Sequence, residues 1–398
     1  MKKFLLAILV ACSLIALASA QENSSAIMQL GKLTASDAIG DSQFGKSMVA
    51  SGNTLVVNHK YVFVKPSAGW GNSTESATLA PSNGTAEFLA AAVSGNVIAV
   101  SASESASNYV GDIYVFVRPA GGWSGTVTET AILSDSSQFC FGGAIGISAG
   151  TIVVGMGDIN GPSVGNCVFV MPKGGWKNAS HADATLTVPF TGFYLTASIA
   201  ITGNTIVTGV PSNFDDEGTL YVFTKPASGW SGNLNPAATL VASDAQFNGQ
   251  LGLAVSMSGS TIAATAANLL GGATKVYIFT EPAGGWVDEF ETAQLHPPKG
   301  SLAFASSVAI AGNSVLVGAA STTVNFNQLQ GAAYLFIKPQ SGWKTTAIAN
   351  TELFSSDGVA GDAFGSSVAI GGGDYFAGAP FATVNGNLLE GAAYVLGK

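Results

Sequence analysis

Apolar residues recur along this chain in short runs separated by glycine-rich turns, and no stretch has the spacing of an amphipathic helix. Two such runs flank a tight turn in FGSSVAIGGGDYFAGAP at 364–380, and related pairs begin near residues 44, 88, 141, 193, 251 and 304. Most of the turns are Gly-Asn dipeptides such as Gly52-Asn53 and Gly312-Asn313, which favour two-residue hairpins. Each pair of runs therefore predicts the first two strands of a meander.

A third apolar run, of the form YVFVKPSAGW at 61–70, ends at a proline, which cannot extend a hydrogen-bonded ladder. All six tryptophans of the chain close a copy of this phrase, at intervals of 53 to 57 residues: Trp70, Trp123, Trp176, Trp230, Trp286 and Trp343. A more polar run from each tryptophan to a leucine such as Leu79 predicts a fourth, outer strand. The pattern thus predicts four antiparallel strands per repeat.

The first three strands are apolar at successive positions, as in Tyr114-Val115-Phe116-Val117, which indicates that both of their faces are covered. Face-to-face stacking of four-stranded sheets around an axis covers them. The last copy, GAAYVLGK at 391–398, has no fourth strand, whereas AIMQLGKLTAS at 26–36 resembles the fourth strand AATLVAS at 237–243. We therefore predict an all-β, seven-bladed β-propeller over residues 21–398, closed by the N-terminal strand in blade 7.

The combination of Phe364-Gly365 with Gly378-Ala379-Pro380 resembles the FG-GAP repeat of a propeller family that includes the integrin α-subunit head. The order L-x-A-S-D, FG, VAIS, YVFxKPxxGW is similar to the bacterial branch of that family and covers almost all of the chain after residue 20. The integrin branch carries a D-x-D-x-D-G calcium loop between the FG and GAP strands. Here a tight turn replaces that loop in most repeats, so neither calcium at the family position nor another cofactor is expected.

Residues 1–20 have the pattern of a signal peptide, in which Lys2 and Lys3 precede an apolar run that ends in Ala18-Ser19-Ala20. A lipoprotein anchored through Cys12 is the alternative, but the apolar run continues where a polar tether would stand. We therefore expect a secreted, periplasmic or cell-surface protein with no transmembrane segment after the leader. The net charge of −9, with Arg118 as the only arginine, argues against a nucleic-acid partner. A monomer is expected.

Two cysteines remain after the leader, Cys140 and Cys167, and both lie in the third repeat. Export to an oxidising compartment favours a disulfide between them. Two separate buried thiols fit the sequence equally well.

Binding is expected in the connections that differ between repeats, because variable loops on a rigid scaffold usually carry function. The richest is the acidic loop at 213–218, where three carboxylates also make a weak metal site, although a solvated loop explains them as well. The candidate binding residues are Asp158, Asn160, Asn213, Phe214, Asp215, Asp216, Glu217, Asn325, Asn327, Asn385, Asn387 and Glu390, of which Asp215, Asp216 and Glu217 are the metal candidates.

No catalytic set is visible in the sequence, because His59, His181 and His296 fall in different repeats. The tryptophans and the recurring tyrosines, at one fixed place per repeat, are interpreted as packing residues. The leading hypothesis is a secreted, non-enzymatic binding protein for an extracellular protein or glycan. The alternatives are a carbohydrate-active enzyme with carboxylates at the channel mouth, and a structural surface or matrix protein.

Overall fold

A computed structural model describes residues 26–84, 86–104, 111–135, 140, 142–155, 165–189, 196–213, 217–266 and 274–398. These residues form seven sheets of four or five strands, with no helix, and each sheet is one blade of a propeller. The predicted seven-bladed β-propeller is confirmed. The predicted signal peptide at 1–20 lies outside the described residues. None of the described residues belongs to a helix long and apolar enough to cross a membrane.

In chain order the strands are β1 (Met28–Leu33), β2 (Met48–Ser51), β3 (Thr54–Val57), β4 (Tyr61–Val64), β5 (Ala77–Leu79), β6 (Ala86–Ser94), β7 (Val97–Glu104), β8 (Gly111–Val117), β9 (Gly125–Val127), β10 (Ala131–Leu133), β11 (Ile145–Ser148), β12 (Thr151–Val154), β13 (Gly165–Val170), β14 (Ala184–Thr187), β15 (Ser198–Thr202) and β16 (Thr205–Val210). They continue with β17 (Thr219–Thr224), β18 (Gly232–Leu234), β19 (Ala238–Val241), β20 (Val255–Ser258), β21 (Thr261–Ala266), β22 (Lys275–Thr280), β23 (Glu289–Phe290), β24 (Ala293–Leu295), β25 (Phe304–Ala311), β26 (Ser314–Ala319), β27 (Ala332–Ile337), β28 (Thr351–Leu353), β29 (Ser367–Gly371), β30 (Asp374–Ala379) and β31 (Ala392–Gly397).

The first two strands of each blade are joined by the predicted two-residue turns. In Gly52-Asn53 only the glycine has a positive φ, of 53°, which is the type II′ pattern. The third strand ends before the proline, and the Gly69 N–H donates to the Pro66 carbonyl 3.0 Å away to close the next turn. The sequence therefore specifies both kinds of turn on this side of the ring.

The ring is closed as predicted. Strand β1 pairs antiparallel with β31, from Met28 opposite Gly397 to Leu33 opposite Ala393, and so supplies the outer strand of blade 7. Leu33 is fully buried. The pairing covers an edge that β31 would otherwise expose.

The outer strands differ from the sequence prediction. They do not begin at the tryptophan: β5 starts at Ala77, seven residues after Trp70. The segment after a tryptophan instead reaches back to the preceding blade, where β9, β18 and β23 add a fifth, parallel strand to blades 1, 3 and 4. Four strands in every blade is therefore wrong, because this segment protects the edge of the neighbouring sheet.

The core is divided into seven apolar clusters, and each cluster combines residues of two adjacent blades. Five of the six tryptophans are buried in these junctions, as the packing interpretation predicts, and Trp70 is half-buried. The junctions are therefore the main source of hydrophobic stabilisation.

The FG and GAP glycines meet across the blade junctions. A Cβ atom on Gly378 of blade 7 would overlap the carbonyl oxygen of Gly45 in blade 1, and Gly318 of blade 6 has the same relation to Gly365 of blade 7. The Ser367 hydroxyl donates to the Gly45 carbonyl at 2.6 Å. The two halves of the motif thus form one contact between neighbouring blades, which needs a glycine where the backbones approach most closely.

Candidate functional site

A central channel of about 280 Å³ runs along the ring axis and is lined by the first strand of every blade. Its lining side chains are aliphatic or methionine, apart from Ser256 and Gly146. None of the described residues that line it is ionisable. The part of the channel wall that the structure describes therefore carries no carboxylate pair of the kind that glycoside hydrolysis needs.

The two faces of the ring differ in their connections. The turn face carries the first-to-second and third-to-fourth connections of each blade, and the loop face carries the second-to-third and blade-to-blade connections. Among the described residues, eleven of the seventeen exposed large apolar side chains belong to the loop face: Ile39, Phe247, Leu253, Leu302, Phe326, Leu329, Phe354, Val359, Phe381, Leu388 and Leu389. The loop face is therefore the more apolar surface of the two.

Blades 6 and 7 have matching second-to-third loops, at 320–331 and 380–391. Val324 forms an antiparallel bridge with Asn327, and Val384 forms one with Asn387. The intervening pairs, Asn325-Phe326 and Asn385-Gly386, have positive φ at both residues, which is the type I′ pattern. Asn325 and Asn385 therefore lie exposed at the loop tips, as their place in the sequence predicts.

The bases of these loops are held by side-chain hydrogen bonds. Asn327 donates to Gln330 Oε1 at 3.0 Å and to the Gly358 carbonyl at 3.2 Å, and Gln330 donates to the Ser355 carbonyl at 3.3 Å. In blade 7, Asn387 donates to Glu390 Oε2 at 2.8 Å. Gln330 and Glu390 are both buried, and Asn327 is half-buried, so these side chains help to hold the bases of the two loops.

The acidic loop of blade 4 is described at its two ends. Asn213 is 1% exposed, and its amide donates to the Tyr221 hydroxyl at 2.7 Å, so this candidate points into the fold. Glu217 is half-buried, and its carbonyl accepts the Leu251 N–H at 3.0 Å. The candidates Asp158, Asn160, Phe214, Asp215 and Asp216 lie outside the described residues. Among the described residues no three His, Cys, Asp or Glu side chains converge on one point.

Two of the recurring tyrosines contact aspartates on the loop face that were not among the residues predicted from the sequence. The Tyr61 hydroxyl donates to Asp37 at 2.7 Å, and the Tyr277 hydroxyl donates to Asp244 at 2.8 Å. Burial and the accepting carboxylate raise the pKa of both tyrosines above the ordinary value. The Ala-Ser-Asp phrase at 35–37 and 242–244 was the available signal, because its aspartate follows the outer strand at the same place in both repeats.

The histidines are separate and unremarkable in their surroundings. Burial lowers the pKa of His59 and also that of His296, which is less deeply buried. Both histidines therefore favour the neutral form near neutral pH. His181 is exposed, with its Nδ1 atom 4.0 Å from Asp135 Oδ1. Among the described residues, none of the three histidines forms a hydrogen bond with a nucleophilic side chain.

Cys140 and Cys167 form a disulfide, with Cα atoms 5.6 Å apart. Both residues are buried, and the bond ties the connection between blades 2 and 3 to the third strand of blade 3. The structure therefore decides between the two alternatives that the sequence left open.

The comparison with protein-family models agrees with the fold. The FG-GAP repeat family model matches residues 349–396, which span β28 to β31. No curated protein matches the sequence. Among solved structures, hydrazine synthase of Kuenenia stuttgartiensis is similar at 13% identity and a TM-score of 0.49, over 86% of this chain and 93% of that chain. A likeness at this level carries no argument about activity.

Proposed function

Because the chain is an FG-GAP repeat β-propeller, we propose that it is an exported, non-enzymatic binding scaffold whose loop face binds an extracellular protein or glycan. The observation that carries the proposal is the difference between the faces. The turn face repeats the same connections in each blade, a two-residue turn and, except in blade 7, a third-to-fourth connection of 12 or 13 residues, whereas the loop face has connections of different lengths and most of the exposed apolar side chains. Such surfaces usually mark interaction sites.

The channel supports the same assignment. General acid–base hydrolysis of a glycosidic bond needs two carboxyl groups about 5–10 Å apart. The described channel wall is aliphatic, so we place binding on the loop face and assign no chemistry to the channel. The rival carbohydrate-active enzyme would need its carboxylates elsewhere.

The disulfide supports the export part of the proposal, because disulfides persist in oxidising compartments and are rare in the cytosol. We expect the mature N-terminus to be Gln21, as measured by mass spectrometry of the protein recovered from its native compartment. An N-terminus at a lipidated Cys12 would contradict simple secretion.

Binding is tested by screening the mature protein on a glycan array and on a panel of extracellular proteins. The loop-face variant carries Asn325→Asp and Asn385→Asp, which keep the left-handed turn conformation but change an amide to a carboxylate. The matched turn-face control carries Asn53→Asp and Asn313→Asp. We expect the loop-face variant alone to lose at least about tenfold in affinity, and equal binding by both variants would count against the loop face.

Calcium is tested separately, since the proposal includes no metal. We expect the same melting temperature with calcium and with a chelator, because a ligand that binds only the native state would raise it. A calcium-dependent increase would show a site that the shortened turns do not predict.

A further inference from the structure

The tip of the blade 6 loop combines two unfavourable features. Phe326 is 98% exposed, and its φ of 72° places a bulky side chain in the left-handed region. The matching loop of blade 7 has glycine at this position, Gly386, with a φ of 88°. A glycine would remove the backbone strain and the exposed ring together. In an isolated molecule, both the backbone conformation and the exposure of Phe326 are unfavourable. Contact with a partner would explain why phenylalanine occupies this position.

Phe326 belongs to a set of exposed apolar residues on adjoining loop-face connections of blades 6, 7 and 1, which we call the apolar cluster: Ile39, Phe326, Leu329, Val359, Phe381 and Leu388. Hydrogen bonds join these connections to one another. The Ala363 N–H donates to the Leu329 carbonyl at 3.0 Å, the Phe381 N–H to the Asp362 carbonyl at 3.3 Å, and the Asp41 N–H to the Leu388 carbonyl at 3.2 Å. The cluster therefore lies on one connected platform.

The exposed area of the cluster matches a stable protein interface. A fully exposed aromatic side chain offers ~200 Å², so the six side chains together offer on the order of 700 Å². Each partner in a standard-size interface contributes ~800 Å². Isolated monomers rarely expose that much contiguous apolar surface.

The charges beside the cluster fit a second copy of the same surface. Asp41 and Lys46 are exposed on the connection that precedes β2, which also carries Ile39. Lys299 is exposed on the connection that precedes β25, where the Leu302 N–H donates to the Thr322 hydroxyl of the blade 6 loop at 3.0 Å. None of the three forms an ion pair with another described residue. Although the whole chain has a net charge of −9, this rim carries both signs. A two-fold axis places each patch against itself, so a mixed rim allows Asp41 of one copy to approach a lysine of the other.

We propose that the apolar cluster is the contact between two copies of this chain, with Phe326 as its central anchor. The inference deepens the proposed function, since it names a second copy as one protein partner of the loop face and leaves the loops of the other blades for further ligands. It replaces the monomer expected from the sequence. Aromatic anchors at the centre of an interface commonly dominate the binding energy.

Sedimentation velocity of the mature chain over a wide concentration range tests the proposal. We expect a reversible dimer for the wild type and at least about tenfold weaker association for Phe326→Gly. The variant should keep or raise its melting temperature, because it introduces the glycine that blade 7 uses. Loss of association together with gain of stability separates an interface role from a structural one.

Two further variants and a control complete the test. Leu388→Gln introduces the residue that blade 6 has at the equivalent position, Gln328, and should also weaken the dimer. Lys46→Glu makes the rim more acidic and should weaken it most at low salt. Ile348→Gln removes an exposed apolar side chain from the turn face and should leave the dimer unchanged.

A wild type that stays monomeric at every concentration would overturn the proposal, as would a dimer that Phe326→Gly leaves intact. Binding of a monomeric wild type to phosphatidylcholine vesicles, lost in Phe326→Gly, would also overturn it and assign the cluster to a lipid surface. The two proposals fail separately. A monomer that binds a glycan or protein overturns only the dimer, and a dimer that binds neither overturns only the proposed function.

Discussion

The closing junction, between blades 7 and 1, where the first and last repeats meet, differs from other junctions such as that between blades 5 and 6. At the closing junction the Trp70 indole donates to Asp374 Oδ2 at 2.9 Å, and Lys65 Nζ lies 2.7 Å from the same oxygen. Trp343 is buried between blades 5 and 6, and its indole N–H has no hydrogen-bond partner among the described residues. The closing junction therefore has a polar contact at its tryptophan that Trp343, among the described residues, lacks.

Removing the closing strand should have the largest effect. A mature chain that begins at Asp37 lacks β1, loses the buried Leu33 and exposes the edge of β31. We expect the free energy of unfolding to fall by more than ~5 kcal/mol, which is enough to unfold many domains. Thermal unfolding followed by circular dichroism measures the change. A chain that lacks only residues 21–25 is the control, and a stable ring without β1 would contradict the closure.

The glycine contact should be equally demanding at both kinds of junction. Gly378→Ala acts at the closing junction and Gly318→Ala at the junction between blades 6 and 7, and in both the new methyl group would overlap a carbonyl oxygen. We expect each to cost about 3 kcal/mol in denaturant unfolding. A much smaller loss for Gly378→Ala would mean that the closing junction adjusts to the new methyl group where the junction between blades 6 and 7 does not.

The polar contact should matter only at the closing junction. Asp374→Ala leaves the Trp70 indole and Lys65 without their acceptor, and we expect a loss of about 2 kcal/mol. Thr261 occupies the equivalent position in blade 5, directly after the turn. Thr261→Ala is the matched variant, and equal losses would show that Asp374 has no special role.

Transferring the contact should have a smaller effect. Trp343 and Lys338 occupy the same positions in their repeat as Trp70 and Lys65 in theirs, so Thr261→Asp places a carboxylate acceptor next to both. We expect the free energy of unfolding to rise by between zero and ~1 kcal/mol. Thr205→Asp in blade 4 is the control. Thr205 is the residue equivalent to Thr261, but the facing repeat has Glu281 where the lysine would be. That variant should be less stable than its parent. Equal results would contradict the part assigned to the lysine.

The smallest effect should be a response to acid. Burial alone would raise the pKa of Asp357, but the hydrogen bond and charge of Lys32 hold that pKa below its ordinary value. Because the pKa of Asp357 is lower in the folded than in the unfolded protein, the ionised carboxylate stabilises the fold above about pH 4. This stabilisation is lost as the pH falls through the pKa of the folded state. Because Asp357 is 46% exposed, we expect less than ~1 kcal/mol.

Lys32→Met should therefore flatten the pH dependence of stability below about pH 4. Lys275 forms the same pair with Asp244 in blade 5, where the pKa of Asp244 is also lowered against the effect of burial. Lys275→Met is the matched variant. A flat profile in the wild type would contradict both assignments.

The sequence predicted the propeller and its closure because these depend on repeats that are visible by eye. The missing fourth strand after Tyr394 and its likeness at 26–36 were sufficient to place β1. The path after each tryptophan was predicted wrongly, since parallel pairing with the preceding blade depends on the neighbouring sheet and leaves no local pattern. Asp374 was missed for the same reason: its two partners are more than three hundred residues away.

For the candidate residues, the sequence predicted positions in loops but not the direction of each side chain. Asn325 and Asn385 lie at loop tips, but Asn213 and Glu390 are buried, because polarity alone does not say which way a side chain turns. Phe326 was overlooked, although the sequence held a signal for it. Comparison of Asn325-Phe326 with Asn385-Gly386 shows an aromatic residue where the matching turn has glycine.

The pairing of residues 28–33 with residues 393–397 also sets an order of events during synthesis. The first strand stays without its partner until the last strand has been made, so the final assembly step comes after synthesis of nearly the whole polypeptide. Contacts that distant in sequence slow folding. A chaperone that covers the unpaired first strand would therefore be bound during most of the synthesis of the chain. Such binding would prevent exchange of this strand between two nascent chains.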